Sequence, residues 1–232
     1  MVYLRGNIKK TISNFHLLAI WAGIIGPALF VAVFLLEGWI HPDYNPMADY
    51  VSALSLGARG WVQIANFVIF GALLFGFTRA VAAEFSNGKA SRWGPILLTI
   101  ISVGYLFSGP LVMDPTGTPL AEATIHGTLH GILGGIVFLL MPITIFVFLR
   151  RFRADPKWQF LQGWTLVLGT ICAAVDILFT IVSKSPSLQA DFTNWLGLIQ
   201  RGVIIPFMIW VCLFALGMYR VILTDHRLVL PA

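Results

Sequence analysis

Charged residues are scarce in this chain of 232 residues, of which only 11% are Asp, Glu, Lys or Arg. A soluble domain of this length usually carries about a quarter charged residues. Hydrophobic residues make up 58% of the chain, and its mean hydropathy is +0.85. Too little polar material is available to cover a soluble globule, and such hydrophobicity also excludes a disordered chain. We therefore predict an all-α, polytopic membrane protein that forms a single domain, 1–232.

Cysteine is nearly absent as well. The two cysteines, Cys172 and Cys212, lie in apolar stretches, and neither belongs to a paired-cysteine metal motif. We interpret them as buried structural thiols. The net charge of +5 does not indicate nucleic-acid binding, because the basic residues stand beside apolar segments, where Lys and Arg set membrane topology. We expect membrane lipids around the chain and no nucleic-acid partner.

The apolar residues form six segments long enough to cross a bilayer, which takes about 20 helical residues. Helices are favoured because they satisfy every backbone hydrogen bond within one segment, as the lipid interior requires. The sequence therefore predicts a bundle of six transmembrane helices. The predicted spans, with ends placed to within several residues, are 16–36, 61–82, 95–112, 126–149, 161–182 and 197–221.

Basic residues fix the predicted orientation of these spans. Most of them fall before the first span, in the links after the second and fourth spans, and after the sixth span. Because an excess of Lys and Arg marks the cytoplasmic side, we predict a cell-membrane protein with both termini in the cytoplasm. The outward links are then 37–60, 113–125 and 183–196. The cytoplasmic basic residues are Arg5, Lys9, Lys10, Arg79, Lys89, Arg92, Arg150, Arg151, Arg153, Lys157, Arg220 and Arg227.

The first outward link contains a predicted short helix, 46–56, lying on the outer surface of the membrane. Asn45 followed by Pro46 is typical of a helix N-cap and its first turn. Asp49 and Ser52 are three residues apart and would share one face of this helix. Asp49 is a candidate ligand-binding residue and Ser52 a candidate catalytic residue. An interfacial anchor without chemistry is the alternative.

Ionisable and polar residues inside or at the ends of the spans gather in the outer half. An ionisable group at mid-bilayer costs about 2.5–3.5 kcal/mol on insertion scales, so such groups are usually paired or functional. The inner halves of the spans are nearly free of them. This asymmetry predicts a polar pocket open to the extracytoplasmic side. The residues concerned are Glu37, Asn66, Ser108, Asp114, His126, His130, Asp176 and Arg201.

Glu122, His126 and His130 are spaced four residues apart and would align on one helical face. Two histidines at this spacing can share a metal ion with a carboxylate. We therefore predict a zinc site in which Asp114 and His41 join His126 and His130. A hydrogen-bonded pair of histidines is the alternative. Glycines on the same helix predict close helix packing, and they are Gly127, Gly131, Gly134 and Gly135.

The metal site favours hydrolysis of a lipid or amide as the function. A bound metal would lower the pKa of a water molecule toward 7, and Ser52 would stabilise the developing oxyanion. The alternative is non-catalytic binding or transport of a small polar ligand or lipid headgroup, anchored by Asp176 and Arg201. The same two residues could instead form a buried ion pair, or Asp176 could complete the metal site. Haem-based electron transfer ranks third, because the two intramembrane histidines share one helix.

The chain resembles the domain of unknown function 998 family of bacterial and archaeal six-helix membrane proteins, most sharply over residues 40–135. The resemblance implies a six-helix fold and a membrane location, and the family has no settled activity. The matching motifs are His41-Pro42, Asp49-x-x-Ser52-x-Leu54, Asp114-Pro115 and Gly127-x-x-His130.

A weaker likeness is to the alkaline ceramidase and adiponectin-receptor hydrolases, which hold zinc in a seven-helix bundle with one Ser, one Asp and three His. The chain is similar to them in chemical inventory. The likeness implies catalytic roles for Ser52 and Asp114 and metal binding by His41, His126 and His130. The chain departs from that pattern in having six predicted spans and in placing one histidine before the serine.

Overall fold

The computed structural model describes residues 14–227. Arg5, Lys9 and Lys10, which contribute to the predicted orientation, lie outside the described residues. Of residues 14–227, 82% are helical and none lies in a β-strand. The α-helices, numbered in chain order, are α1 Asn14–Ile40, α2 Gly60–Glu84, α3 Trp93–Ser108, α4 Ile125–Ala154, α5 Gln162–Lys184, α6 Pro186–Asp191 and α7 Leu196–Arg227. Short 3-10 helices lie between them at Val51–Ser55, Leu120–Glu122, Pro156–Leu161 and Thr193–Trp195.

Five helices, α1, α2, α4, α5 and α7, are long and apolar enough to cross a membrane. They coincide with five of the predicted spans and differ from them by a few residues at each end. The remaining predicted span, 95–112, corresponds to α3, which is apolar but has only 16 residues. Helix α3 ends at Ser108 because Gly109 and Pro110 follow. Proline lacks a backbone N–H and disfavours helical geometry in the residue before it.

The five long helices and α3 form a closed ring. Each packs against the next along the chain, and α7 packs against both α5 and α1. Aromatic side chains fill the end of the ring at which α2 and α4 end and α5 begins. The ring centroids of Phe148 and Phe214 are 4.7 Å apart. This buried aromatic cluster consists of Phe85, Phe148, Phe152, Trp158, Trp210 and Phe214.

The first outward link differs from the predicted surface helix at 46–56. It contains turns followed by the 3-10 helix Val51–Ser55, in which Val51 and Leu54 are buried. The main chain of this link bonds to α7: the N–H groups of Gly197 and Leu198 donate to the carbonyls of Ala48 and Met47. These bonds satisfy donors in the first turn of α7, which have no partner within the helix. The link is therefore docked into the bundle.

Candidate functional site

A cavity of about 310 Å³ lies at the opposite end of the ring from the aromatic cluster. We call it the main cavity. Its walls come from α2, α3, α4, α5 and α7, the first outward link and the segment between α3 and α4. Its apolar lining includes Phe67, Val137, Phe138, Phe179 and Ile204. The side chains with polar atoms along it are those of Tyr50, Ser52, Tyr105, Ser108, Thr118, Asp114, His130 and Gln200.

Glycines on α4 form one wall of the main cavity. A Cβ added at Gly131, Gly134 or Gly135 would meet no atom within 4 Å. The prediction of close helix packing along this stripe is therefore wrong at these three positions. The missing side chains leave empty space, and that space is the cavity. Gly127 is different, because a Cβ there would collide with the carboxylate of Asp114.

Asp114 holds the start of α4. Its Oδ2 accepts a hydrogen bond from the main-chain N–H of Thr124 at 2.9 Å, and its Oδ1 accepts one from the Thr124 hydroxyl at 2.8 Å. The hydroxyl oxygen of Thr124 accepts in turn from the N–H of Gly127, as an N-cap does. Both carboxylate oxygens of Asp114 are thus engaged in positioning the helix while the residue lines the main cavity.

His130 is buried beside the main cavity, with 9% of the residue exposed. Its Nδ1 lies 2.7 Å from the carbonyl oxygen of Leu111. Because a carbonyl can only accept, Nδ1 carries the hydrogen in this contact. The neutral imidazole then has an unprotonated Nε2, which can accept a hydrogen bond from a ligand. The rings of His130 and Phe67 also pack in a T-shaped arrangement, with their centroids 6.1 Å apart.

The four predicted zinc ligands do not come together. His126 is exposed at the start of α4, and His41 lines a different cavity from Asp114 and His130. No three His, Cys, Asp or Glu side chains within residues 14–227 are close enough to hold a metal ion. Glu122 belongs to a separate 3-10 helix, since α4 begins only at Ile125. The spacing of four therefore does not extend from Glu122 to the histidines along one helix.

Two residues of the main cavity escaped the sequence analysis. Gln200 accepts a hydrogen bond at Oε1 from the N–H of Val51 at 2.7 Å, which joins α7 to the 3-10 helix that carries Ser52. Tyr105 is 4% exposed, and its hydroxyl has no hydrogen-bond partner in the described part of the chain. Tyr105 lies in an apolar run, and Gln200 directly precedes Arg201 in a helix that is otherwise apolar around them. This sequence context was the signal that could have identified the two residues as part of a site.

Tyr50 is the second tyrosine, after Tyr105, that lines the main cavity. It packs edge-on against Phe179, with ring centroids 5.9 Å apart. Burial raises the pKa of its phenol above the ordinary value of 10.0. At neutral pH the hydroxyl is therefore protonated.

Asp176 and Arg201 do not form the ion pair that their depths suggested. The ion pairs within residues 14–227 join other residues, and Asp176 Oδ1 is buried without a hydrogen-bond partner. Arg201 donates instead to the carbonyls of Asp49 and Gly197. The Asp49 carboxylate accepts from the main-chain N–H of Asn45 at 2.7 Å and so closes the turn that precedes the 3-10 helix.

A second cavity, of about 380 Å³, lies between the end of α1, the first outward link and α7. We call it the Arg201 pocket. Arg201, His41 and Tyr44 line it together with apolar side chains of α1. Of the predicted ligand-binding and metal-binding residues, two line the main cavity, Asp114 and His130, and two line the Arg201 pocket, His41 and Arg201. Asp49, His126 and Asp176 line neither cavity.

Comparison with known proteins gives a family but no activity. A search of curated proteins and a search of solved structures found no significant match. The likeness to the alkaline ceramidase and adiponectin-receptor hydrolases is not confirmed. The family model described as "Protein of unknown function (DUF998)" matches residues 24–217, nearly the whole of the helical ring, and the chain belongs to this family.

Proposed function

We propose that this protein is a six-span membrane protein whose main cavity binds a small amphipathic molecule that is uncharged or cationic, without chemical turnover. The observation that carries the proposal is the combination of an apolar volume with a few polar groups at one end of the bundle. Small-molecule sites are typically concave and mostly apolar, and a small number of placed polar groups sets their specificity. A volume of about 310 Å³ is within the range of such sites.

The charge of the lining supports the choice of ligand. The main cavity has one carboxylate, Asp114, and neither Lys nor Arg is among its lining residues. An anion brought into this cavity would lose its hydration without gaining a counter-charge, which is unfavourable. A neutral headgroup has no charge to desolvate, and a cationic headgroup finds a counter-charge in Asp114. His130 Nε2 would accept from a donor on the ligand, and the Gln200 amide nitrogen would donate to it.

The orientation completes the proposal. Both cavities lie at the end of the bundle away from Arg151 and Lys157, which pair with Asp155 and Glu84 beside the aromatic cluster. If those basic residues mark the cytoplasmic side, the cavities open toward the extracytoplasmic side and both termini are cytoplasmic. In this arrangement α3 would cross with α1, α2, α4, α5 and α7, its 16 residues being continued by the segment that follows Ser108.

The same geometry favours binding over metal-dependent hydrolysis. The metal hypothesis needs His41 and His126 beside His130, and these residues are apart. Asp114, the carboxylate that lines the main cavity, already has a structural role, because both of its oxygens accept hydrogen bonds from Thr124. Ser52 lines the main cavity, where its hydroxyl would form a hydrogen bond with the ligand rather than take part in catalysis.

Two matched dyes test the proposal. N-phenyl-1-naphthylamine is uncharged, whereas 1-anilinonaphthalene-8-sulfonate carries a sulfonate on the same two ring systems. We expect the uncharged dye to raise the thermal unfolding midpoint of the purified protein and the sulfonate to have no such effect. Binding to the folded state alone stabilises by about 2.7 kcal/mol at a ligand concentration 100-fold above Kd, which is readily measured.

The variant Gly131→Leu fills the main cavity and should abolish the shift caused by the uncharged dye. Gly76→Leu on α2 is the matched control, because a Cβ at Gly76 also meets nothing within 4 Å but Gly76 does not line the cavity. Equal shifts in the two variants would overturn the proposal, as would stronger stabilisation by the sulfonate.

A further inference from the structure

The charge of Arg201 has no counter-ion in the described structure. Only 5% of the residue is exposed, and no carboxylate within residues 14–227 forms an ion pair with it. Glu37 on α1 is bound by Arg59, and the Asp49 carboxylate accepts from Asn45. A buried guanidinium without a counter-charge is unfavourable, so binding of an anion at this position would stabilise the folded protein.

The contacts of Arg201 hold it in place without neutralising it. Nη1 donates to the carbonyls of Asp49 and Gly197 at 3.0 and 2.9 Å, and Nη2 donates to the hydroxyl of Tyr44. All three acceptors are uncharged. The guanidinium lies against the rings of Phe34 and Tyr44, 5.8 and 5.6 Å from their centroids. Of its five N–H groups, the one on Nε is buried and has no partner in the part of the chain that the structure describes.

A second unpartnered nitrogen lines the same pocket. His41 Nδ1 is buried and has no hydrogen-bond partner among residues 14–227. Arg201 and His41 thus both line a cavity of about 380 Å³, and each has a buried nitrogen in need of an acceptor. The pocket has no carboxylate among its lining residues. An anionic group with several acceptor oxygens fits this chemistry, and phosphate is one of the groups that a planar arginine fork recognises.

The surface of α1 beside the pocket is apolar and exposed. Leu35 and Trp39 line the pocket and are 49% and 83% exposed. A tryptophan at the end of a membrane-spanning helix is typical of the membrane–water interface. An anion that reaches Arg201 from this side would therefore bring an apolar tail into contact with α1.

We infer that the Arg201 pocket binds the phosphate group of an anionic membrane lipid, with Arg201 as the counter-charge and His41 as a second hydrogen-bond donor. The acyl chains of the lipid lie along Leu35 and Trp39. This site is separate from the main cavity, which has neither Lys nor Arg among its lining residues. The Arg201 pocket prefers an anion, whereas the main cavity prefers an uncharged or cationic ligand.

Thermal unfolding in a neutral detergent tests the site with three additions. These are phosphatidylglycerol, phosphatidylcholine and inorganic phosphate at matched ionic strength. We expect phosphatidylglycerol to raise the unfolding midpoint in a saturable way, and phosphatidylcholine to do so more weakly because its headgroup has no net charge. A comparable rise with inorganic phosphate alone would assign the site to a free anion and overturn the lipid as its ligand.

Variants separate this site from general attraction of anionic lipid to a basic protein. His41→Gln should weaken the apparent affinity for phosphatidylglycerol about tenfold, since a hydrogen bond to a charged group is lost. Arg201→Gln should abolish the response, and Arg201→Lys, which keeps the charge but loses the fork, should retain part of it. Arg59→Gln is the matched control, an arginine at the same end that is bound by Glu37 outside the pocket.

If Arg201→Gln does not fold, the comparison of His41→Gln with Arg59→Gln still tests the proposed lipid site. An affinity that is the same in these two variants would overturn the inference. So would a protein that shows no response to phosphatidylglycerol at all.

Discussion

The carboxylate of Asp114 accepts hydrogen bonds from both the main-chain N–H and the side-chain hydroxyl of Thr124. The contact joins the segment after α3 to the first turn of α4. It also allows Thr124 to cap α4 through the N–H of Gly127. The start of the helix that carries His130 and the glycine wall therefore depends on a residue that the sequence singled out for catalysis.

Replacing Asp114 by Ala should destabilise the protein by about 1–2 kcal/mol, the usual effect of losing a helix cap. Asp114→Asn should cost less, because one acceptor oxygen is kept. Chemical or thermal unfolding in detergent measures the difference. Thr124→Ser, which keeps the hydroxyl, is the control and should be close to the wild type. A stability unchanged in Asp114→Ala would contradict the capping role.

The helices could be predicted from the sequence because charge is so scarce in it. Long apolar runs between short polar links leave little choice in the lipid interior, so five of the predicted spans match long helices. The third was placed correctly at its start. It was extended too far at its end, because the segment after Ser108 is apolar but contains Pro110. Composition identifies a span, whereas a backbone effect decides where the helix ends.

The site was harder to predict because spacing along one helix does not say what lies opposite. His126 and His130 do occur on one helix, but only His130 is covered by neighbouring elements. The glycines of α4 were interpreted as a packing surface, yet three of them border empty space. A small side chain permits either a close neighbour or a cavity, and only the position of the neighbouring helices distinguishes the two.

Glycines in close contact and glycines beside the cavity should respond oppositely to the same substitution. A Cβ at Gly71 on α2 would lie 2.5 Å from the backbone N of Leu106, so Gly71→Ala should destabilise by about 1–3 kcal/mol through overpacking. Gly134→Ala meets nothing within 4 Å and should be neutral or stabilising by up to about 1 kcal/mol, because alanine favours a helix. Unfolding midpoints of the two variants compare them directly. Equal losses of stability would show that the α4 wall is packed.

Tyr44 makes the stability of the first outward link sensitive to alkaline pH. Burial raises the pKa of its phenol above the ordinary 10.0, against the opposing effect of Arg201. A raised folded-state pKa means that the stabilisation is complete below pH 10 and is lost as the pH rises through the folded value. Tyr44→Phe should cost about 1–2 kcal/mol at neutral pH, since the hydrogen bond from Arg201 is lost.

The difference in stability between the wild type and Tyr44→Phe should therefore narrow as the pH is raised above the ordinary value of 10.0. Unfolding of both proteins across that pH range measures it. Tyr50→Phe is a useful control, because burial raises the pKa of Tyr50 as well but Tyr50 does not contact Arg201 through its hydroxyl. A difference that is constant with pH would exclude Tyr44 as the titrating group.

The contact between Glu37 and Arg59 should behave as a coupled pair. Both carboxylate oxygens of Glu37 accept from the guanidinium, at 2.6 and 3.1 Å, and join the end of α1 to the residue before α2. The Glu37 side chain is 9% exposed and the Arg59 side chain is 51% exposed. The hydrogen bond with Glu37 raises the pKa of Arg59 further above its already high ordinary value, so the guanidinium remains charged in all ordinary buffers.

Arg59→Met should lower the unfolding midpoint, because it leaves a carboxylate buried without its partner. The double variant Glu37→Gln/Arg59→Met removes the buried charge as well and should recover part of the loss. A double-mutant cycle of thermal midpoints measures the coupling, with high salt as a second variable. Salt should have little effect on the measured coupling energy, because Glu37 is buried and the pair is therefore screened less than two fully exposed charges. If the two single losses simply add up in the double variant, the two residues are not coupled and α1 is held to the start of α2 by packing alone.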